Sequence, residues 1–306
     1  MRILITGAGG LLGLSLALEL SKQHTVIGTD RKALTAQDVF ESHKIDLLAP
    51  GAVSQLIDAA EPDAIIHCAA IANVDACESE PELASRMNGD LPGLFASQAA
   101  MNGVQLVHIS TDAVFDGTKG NYSEEDSTNP LSIYAKTKLD GERSVFEAMP
   151  EAVVTRVNLF GWSAAGTRSL AEFFYHNLAA GKPLKGFTDV HFCPILVNDL
   201  ADIFDEIFQK RLSGLFHLVS PICMTKYDFG ITIAKKFGFD PDRIEPVSVE
   251  DFGLKAARSP LLTLDTAKLS AALGHSLPDV RAGLERFYQL EQLGYPARLK
   301  QIVFPD

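Results

Sequence analysis

The first thirty residues combine a short apolar strand, a glycine-rich turn and an apolar helix, and this order restricts the fold more than any other feature. A strand is predicted at Arg2–Thr6, and a helix is predicted at 11–21 after glycines at positions 7, 10 and 13. Such glycines let the chain turn tightly, approach a pyrophosphate and pack the helix on the strand, while the helix start offers N–H groups to the anion. A second strand at 25–29, ending in Asp30, completes a unit that predicts dinucleotide binding.

Residues after the predicted strands are candidates for holding the adenosine and the nicotinamide. Asp30 is placed to accept hydrogen bonds from the adenosine ribose, which favours NAD. Arg31 could pair with a 2′-phosphate instead, or be a solvated charge, so the choice between NAD and NADP stays open. Residues 45–47 are predicted to close a third strand with Asp46 at the adenine edge, and small residues after a strand at 64–68 would let the cofactor pass. The predicted cofactor residues of this part of the chain are Gly7, Gly10, Leu11, Leu12, Gly13, Asp30, Arg31, Asp46, Leu47, Cys68, Ala69 and Ala70.

A later apolar run ends in polar side chains and is followed by a tyrosine and a lysine. Residues 107–112 predict a strand of a parallel sheet, and because ligands bind beyond the carboxyl ends of such strands, Thr111 is expected at the substrate. Tyr134 and Lys138 lie four residues apart in a helix-forming segment and would emerge on one face. A cationic Lys138 would lower the pKa of Tyr134 and make it useful as an acid near neutral pH. A packed tyrosine beside a solvated lysine is the alternative for so short a motif.

Composition and charge exclude several classes of protein. With 306 residues, 46% hydrophobic and 22% charged, the chain is ordinary for a soluble globular protein, and a net charge of -12 without a basic run argues against nucleic acid. The apolar stretch at 3–18 is too short to span a bilayer and is interrupted by glycines, so a cytoplasmic protein is expected. The cysteines show no C-x-x-C spacing, which predicts buried free thiols and no zinc site. They are Cys68, Cys77, Cys193 and Cys223.

The alternation of strands and helices predicts an α/β fold with a doubly wound parallel sheet of the Rossmann type. Residues 1–157 are expected to form a dinucleotide-binding domain to which residues 188–220 return. Residues 158–187 and 221–306 are expected to form a smaller, partly interleaved α/β lobe for the substrate. Further strands are predicted at 153–157 and 214–219, and further helices at 51–60, 82–101, 170–180, 200–209 with Asp199 near its N-cap, 226–237 and 280–293.

With the glycine loop, the strand-end Thr111 and Tyr134-x-x-x-Lys138 in this order, the chain resembles the extended short-chain dehydrogenase/reductase family. Within it, the chain is most similar to the dTDP-4-dehydrorhamnose reductase group, over nearly its whole length. The similar segments are 73–81, 110–117, 129–142, 194–202 and 214–218, of which 110–117 and 129–142 are the most specific.

This resemblance implies a reductase that moves hydride from a nicotinamide to the C4 ketone of a nucleotide-linked 4-keto-6-deoxysugar. Tyr134 would protonate the oxyanion, Thr111 would hydrogen-bond the same oxygen, and Lys138 would hold the nicotinamide ribose, so that Tyr134 and Lys138 are also cofactor residues. A nucleotide sugar is the implied partner, and a homodimer is possible. The implied substrate residues are Asp112, Ala113, Asn158 and Arg258, with Arg258 either pairing with the pyrophosphate or exposed and idle.

Three positions depart from the group. Ala113 stands where the group has a tyrosine facing the sugar, and the segment near Leu159 lacks an aromatic residue and is one residue shorter. These departures leave the particular sugar open. Some relatives hold a metal with a carboxylate in the first helix, where this chain has Ser15, so no metal is predicted.

Two other functions remain as alternatives. One is a non-catalytic, NADP-binding subunit, because the regulatory β subunit of methionine adenosyltransferase resembles the same group. The other is a nucleotide-sugar epimerase or dehydratase, since the fold alone does not fix the reaction. A dehydratase usually has two carboxyl groups after the strand-end threonine, and here Asp112 is followed by Ala113.

Overall fold

A seven-stranded parallel sheet forms the centre of the molecule. The computed structural model describes residues 1–36, 38–249 and 259–304. The strand order is β11-β6-β5-β4-β1-β2-β3, and every neighbouring pair is parallel. The strands of the described residues are β1 (Arg2–Thr6), β2 (Thr25–Asp30), β3 (Glu41–Lys44), β4 (Ala64–His67), β5 (Gln105–Thr111), β6 (Val153–Val157), β7 (Leu159–Phe160), β8 (Leu184–Phe187), β9 (His191–Phe192), β10 (Ile195–Leu196), β11 (Gly214–Leu218), β12 (Met224–Thr225), β13 (Ile244–Val247) and β14 (Leu261–Leu262).

Helices cover both faces of this sheet, which confirms the predicted doubly wound α/β fold. The α-helices of the described residues are α1 (Leu11–Leu20), α2 (Ala52–Ala60), α3 (Val74–Ser79), α4 (Pro81–Ala84), α5 (Leu91–Asn102), α6 (Ile133–Ala148), α7 (Leu170–Ala179), α8 (Leu200–Gln209), α9 (Lys226–Phe237), α10 (Ala267–Leu273), α11 (Val280–Gln292) and α12 (Tyr295–Val303). Within the described ranges, no helix has both the length and the apolar character needed to cross a membrane.

The two faces of the sheet have separate apolar cores. Ile3 and Ile5 of β1 belong to a cluster that includes Phe204 of α8, whereas Leu4 belongs to a cluster with Phe95 of α5. This alternation follows from the period of two in a strand, which directs successive side chains to opposite faces. Because both faces are covered, β1 and β4 in the middle of the sheet are buried along nearly their whole length.

The direction of strand succession reverses between β1 and β4. Strands β2 and β3 follow β1 on one side, while β5, β6 and β11 continue from β4 on the other. A crevice opens at such a point beyond the carboxyl ends of the strands, and ligands of open α/β sheets bind there. Thr6 pairs with His67 at this end of β1 and β4, and Thr111 pairs with Val157 at the same end of β5 and β6.

Three predicted elements differ from the structure. The third strand is Glu41–Lys44 rather than 45–47, because the polar residues of β3 lie at the exposed edge of the sheet, where no apolar pattern marks a strand. The long helix predicted at 82–101 is interrupted by a π-helical turn, Ser85–Asp90. Asp199 does not cap α8 with its side chain, because its carboxylate bonds Arg286 at 2.6 Å instead.

The prediction of free thiols is wrong for two of the four cysteines. Cys193 and Cys223 form a disulfide, while Cys68 and Cys77 are free. Strands β9 and β12 are antiparallel, and Phe192 lies opposite Met224. Cys193 follows Phe192 and Cys223 precedes Met224, so this pairing brings the two cysteines together. Their sequence separation of 30 hides this proximity in the sequence.

The end of the described chain packs back on the first βα unit. The Thr35 N–H donates to the Ile302 carbonyl at 2.7 Å, and the Tyr295 hydroxyl lies 3.5 Å from the Ser15 hydroxyl of α1. The Trp162 indole ring, from the segment after β7, stacks on Phe287 of α11 with ring centroids 4.0 Å apart. The first two contacts join the end of the described chain to the beginning of the sheet domain, and the third joins two segments that both follow β6.

Candidate active site

The glycine turn between β1 and α1 is closely packed. Gly7 has φ +66, and a Cβ atom there would lie 3.0 Å from the Ala69 backbone. At Gly13, a Cβ atom would lie 2.3 Å from the Gly7 carbonyl oxygen, so only glycine lets α1 approach the turn. Helix α1 begins after Gly10 without a side-chain cap, which leaves the N–H groups of its first turn to an anion. The half-buried Leu11 and the buried Leu12 lie in that first turn.

Asp30 lies beside this turn at the end of β2. Its carboxylate accepts from the Gly9 N–H and from the Lys32 N–H, both at 3.1 Å. Arg31 is exposed next to it. A carboxylate for ribose hydroxyls and a cation for a 2′-phosphate are therefore adjacent, and the geometry favours neither nucleotide.

Asp46 and Leu47 lie in the turn after β3 rather than in the strand predicted for them. Asp46 is exposed and accepts from the Leu48 N–H at 3.0 Å, while Leu47 is buried in the core with 6% of its surface exposed. Leu47 is thus a packing residue in this structure.

The end of β4 borders the glycine turn. Cys68, Ala69 and Ala70 follow this strand, and the Ala69 N–H donates to the Thr6 hydroxyl at 3.1 Å. The Thr6 hydroxyl is also 2.8 Å from Nδ1 of His67, which is buried. Small side chains after β4 therefore lie next to the turn, as the sequence predicts.

Thr111 and Asp112 stand where β5 ends. Both side chains are buried, and the Thr111 hydroxyl donates to Asp112 at 3.2 Å. The Asn158 amide donates to the other carboxylate oxygen of Asp112 at 2.6 Å, so three of the predicted site residues contact one another. Burial raises the pKa of Asp112 to about 6, against the opposing effect of the Asn158 hydrogen bond. Ala113 follows half-buried in a 3₁₀ turn, Asp112–Val114.

Helix α6 brings Tyr134 and Lys138 to this strand end. Ser132 caps the helix by accepting from the Ala135 N–H at 3.2 Å, which fixes where Tyr134 emerges. The Thr111 hydroxyl lies beside the Tyr134 phenol and acts to lower its pKa. Lys138 is 3% exposed, and its ammonium donates to the Ile109 carbonyl at 2.6 Å. Tyrosine, lysine and threonine thus converge as the sequence predicts.

The pKa of Tyr134 shifts in the direction opposite to the prediction. Burial of the phenol raises it to about 12, and the Asp112 carboxyl and the Cys77 thiol act in the same direction. The Lys138 ammonium is directed at β5 rather than at the phenol, which explains why it does not lower this pKa. A phenol that stays protonated near neutral pH remains a proton donor. Burial lowers the pKa of Lys138 to about 8.

Asn88 belongs to the site and was not predicted. It is fully buried in the π-helical turn, where its amide bonds the Ile71 N–H at 2.9 Å and the Ile71 carbonyl at 3.1 Å. The same amide reaches the Thr137 hydroxyl at 3.3 Å, next to Lys138. Asn88 therefore connects the loop after β4 to the helix that carries the tyrosine and lysine. The single asparagine in a helical pattern gave no signal of this role in the sequence.

Arg258, predicted for the pyrophosphate, lies outside the described residues. Ser15 is buried in α1 as part of the contact with α12. Among the residues that the structure describes, no three His, Cys, Asp or Glu side chains are grouped to hold a metal ion.

Comparisons with known proteins place the chain among related sequences. A family model described as the RmlD substrate binding domain matches residues 1–293. A probable low-salt glycan biosynthesis reductase from Haloferax volcanii is 34% identical over 289 residues, which cover 93% of this chain and 96% of that protein. Methionine adenosyltransferase 2 subunit beta from Mus musculus is 35% identical over 296 residues, covering 93% of this chain and 86% of that protein.

A solved structure has the same architecture. The dTDP-4-dehydrorhamnose reductase from Bacillus anthracis, in complex with NADP, superposes with a TM-score of 0.84 at 28% identity. The match covers 94% of this chain and 98% of that chain.

Proposed function

The chain belongs to the RmlD substrate binding domain family, and we propose that it is an NAD(P)H-dependent reductase of a nucleotide-linked 4-keto-6-deoxysugar. The observation that carries this proposal is the meeting of Thr111 and Tyr134 at the end of β5, where Lys138 bonds the Ile109 carbonyl of the same strand. A phenol and a hydroxyl that meet at one point can both bond a carbonyl oxygen placed there.

The glycine turn fits a dinucleotide. The close packing of the turn that Gly7 and Gly13 allow, and the uncapped start of α1, support a diphosphate at the first turn of this helix. Asp30 and Arg31 would hold the adenosine ribose, and Lys138 the nicotinamide ribose. The bound nicotinamide would supply the hydride.

The protein's own groups would then manage the proton and the developing charge. Tyr134 stays protonated because its pKa is about 12, and it would transfer its proton to the ketone oxygen as hydride reaches the carbon. Thr111 would donate a second hydrogen bond to the same oxygen. Asp112, held by Asn158 at 2.6 Å, would orient the sugar hydroxyls beside the ketone.

The finer assignments belong to the same proposal. NAD and NADP both remain candidates, and the NADP complex of the related reductase supports NADP. We propose residues 1–157 and 188–220 as the nucleotide lobe, and residues 158–187 with those after 220 as the substrate lobe. Arg258 would serve the substrate pyrophosphate. A cytoplasmic location, a homodimer and the lack of a metal are carried over from the sequence.

A panel of nucleotide-linked 4-ketosugars tests the function. The purified protein is mixed with NADH or NADPH and each sugar in turn, and cofactor oxidation is followed by the loss of absorbance of the reduced nicotinamide. We expect oxidation with at least one 4-keto-6-deoxysugar and none with the matching 4-hydroxy sugar. Failure with every ketosugar, although NADPH binds, would contradict the proposal.

A binding subunit is the second candidate, and the identity of 35% to methionine adenosyltransferase 2 subunit beta favours it. Ala113, in place of a tyrosine expected to face the sugar, is consistent with a relaxed substrate site. This function would give a stable complex with a second protein and no turnover in the panel.

A further inference from the structure

We propose that His108 is a positioning residue that keeps the Lys138 side chain cationic and aimed, by accepting one of its three ammonium hydrogens inside the sheet. The inference rests on the proposed function, in which Lys138 holds the nicotinamide ribose. His108 has no role in the sequence motifs, and it touches neither the glycine turn nor the Thr111 hydroxyl through any hydrogen bond between described residues.

The geometry places His108 directly beneath the lysine. His108 lies in β5 and has no exposed surface, and its Nε2 atom is 3.4 Å from Nζ of Lys138. The Ile109 carbonyl accepts a second ammonium hydrogen at 2.6 Å. An ammonium group has three donors and no acceptor, so two hydrogens are held by β5 and the third can point out of the sheet.

The histidine must be neutral for this contact. Burial and the Lys138 charge lower the pKa of His108 well below its ordinary value, so the ring carries one proton. If Nε2 accepts from the ammonium, that proton is on Nδ1, which is buried and has no hydrogen-bond partner among the described residues. An unpaired N–H in the middle of an apolar strand is unfavourable, whereas leucine or valine at this position would avoid it. The contact of Nε2 with Lys138 is what offsets this disadvantage.

The ring that stacks on His108 comes from the neighbouring strand. His67 of β4 stacks on His108 with ring centroids 5.4 Å apart, and the ring centroids of Phe95 and His67 are 4.5 Å apart. Burial and Lys138 lower the pKa of His67 to about 3, so both imidazoles are uncharged near neutral pH. The ring stacked on His108 is therefore neutral and adds no charge near Lys138.

The other polar groups near Lys138 do not replace this acceptor. The Glu142 carboxylate is the nearest negative charge on α6, but it bonds Arg156 through both oxygens and also accepts from Ser110. Cys68, after β4, is a thiol whose pKa burial raises to about 12, so it is uncharged. Asp112 after β5 accepts from the Thr111 hydroxyl, and the Tyr134 phenol of α6 lies beside the same hydroxyl. Among the described residues, the acceptors within hydrogen-bonding distance of the ammonium are thus Ile109 and His108.

The contact predicts how the pH dependence of NADPH binding and of turnover changes when His108 is replaced. The cationic form of Lys138 is present below its pKa, which is about 8, and is lost as pH rises through that value. Removing the His108 acceptor leaves a buried ammonium with one partner, which favours the neutral amine and lowers this pKa further. NADPH binding and turnover, which need the cationic lysine, should then be lost at a lower pH than in the wild type.

The test compares substitutions that differ in the acceptor. His108→Leu removes it, and His108→Asn keeps a polar side chain that is too short to reach Nζ, whereas His108→Gln can place its carbonyl oxygen near the position of Nε2. His67→Gln is the matched control, because it changes the stacked ring without touching Lys138. For each variant the Kd of NADPH is measured by fluorescence from pH 6 to pH 9, and kcat/KM is measured over the same range with the best ketosugar.

We expect the alkaline loss of both properties to move down by about one pH unit in the Leu and Asn variants, and to stay near the wild-type value in the Gln variant and in the His67 control. At a pH of about 8 this corresponds to a severalfold weaker NADPH affinity. The Asn variant decides the matter if the Leu variant does not fold.

Unchanged midpoints in the Leu and Asn variants would overturn the proposal, as would a pH-independent loss that the His67 control shares. The Kd profile needs no sugar substrate. If the shift in Kd occurs but no ketosugar is reduced by the wild type, the reductase function fails and the role of His108 stands. If ketosugars are reduced but the pH midpoints do not shift in the variants, the reductase function stands and the role of His108 fails.

Discussion

Replacing Glu142 with glutamine tests its buried ion pair with Arg156, which lies next to the site. Oε1 of Glu142 accepts from Nε of Arg156 at 3.0 Å and Oε2 accepts from Nη2 at 2.7 Å, with each side chain only 4% exposed. The Ser110 hydroxyl, next to Thr111, donates to the same carboxylate. Removing one charge of a buried pair costs about 3–5 kcal/mol because the other remains unpaired. Glutamine keeps an acceptor oxygen, so we expect a loss of about 3 kcal/mol.

Asp140→Asn on the same helix is the matched control. Asp140 pairs with Arg143 at 3.3 Å, but the two side chains are 57% and 68% exposed, and such pairs contribute about 0–1 kcal/mol. Urea unfolding is followed by the fluorescence of Trp162, the single tryptophan, which is buried. With a slope of about 3 kcal/mol per molar urea, the midpoint of the Glu142 variant should fall by about 1 M and that of the control by about 0.3 M or less. Equal shifts in both variants would refute the argument from burial.

Three further perturbations test the nucleotide site and the disulfide. Gly13→Ala should weaken NADPH binding at least tenfold, because its Cβ would lie 2.3 Å from a carbonyl oxygen of the turn. Ser15→Ala in the same helix should retain wild-type affinity. Equal Kd values for the two variants would contradict this packing. Asp30→Ala should weaken NADH binding by about tenfold, the value of a lost charged hydrogen bond, with a smaller effect on NADPH; no change with either nucleotide would remove Asp30 from the site. Titration of the denatured, unreduced protein with a thiol reagent should detect two thiols, because Cys193–Cys223 is a disulfide, and four would exclude the disulfide.

The sequence predicted the parts of the fold that are set by local patterns. The strand, glycine turn and helix at the start of the chain agree with the structure to within one residue, because glycine spacing and apolar runs directly reflect backbone geometry and burial. The position of Thr111 at the ligand edge followed from a general property of parallel sheets, whose strands deliver their ends to one edge. Its meeting with Tyr134 was implied by the family resemblance.

Features that depend on nonlocal pairing could not be obtained in this way. Strand β3 has the polar sequence Glu41–Lys44 and is a strand only because β2 offers an unpaired edge. The Cys193–Cys223 disulfide depends on the pairing of two-residue strands, which carry no periodicity. The π-helical turn around Asn88 is also invisible to a helical pattern, although it brings this amide to the catalytic helix.

The pKa of Tyr134 illustrates the same limit for electrostatics. A lysine four residues away suggested a lowered value, but Lys138 is bonded to β5, and burial raises the pKa of the phenol to about 12. Sequence spacing predicts the helix face on which a side chain emerges, but the acceptors around an ammonium group determine its direction.

The turnover and cofactor affinity of Tyr134→Phe, measured on the same preparation, test the central claim most directly. If the phenol donates the proton, kcat for the best ketosugar should fall by about 10²–10⁴, which is the usual contribution of a positioned general acid. The Kd of NADPH should stay within about threefold, because the substitution removes only a hydroxyl. A kcat near the wild-type value, or a loss of NADPH binding that accounts for the whole defect, would contradict the account.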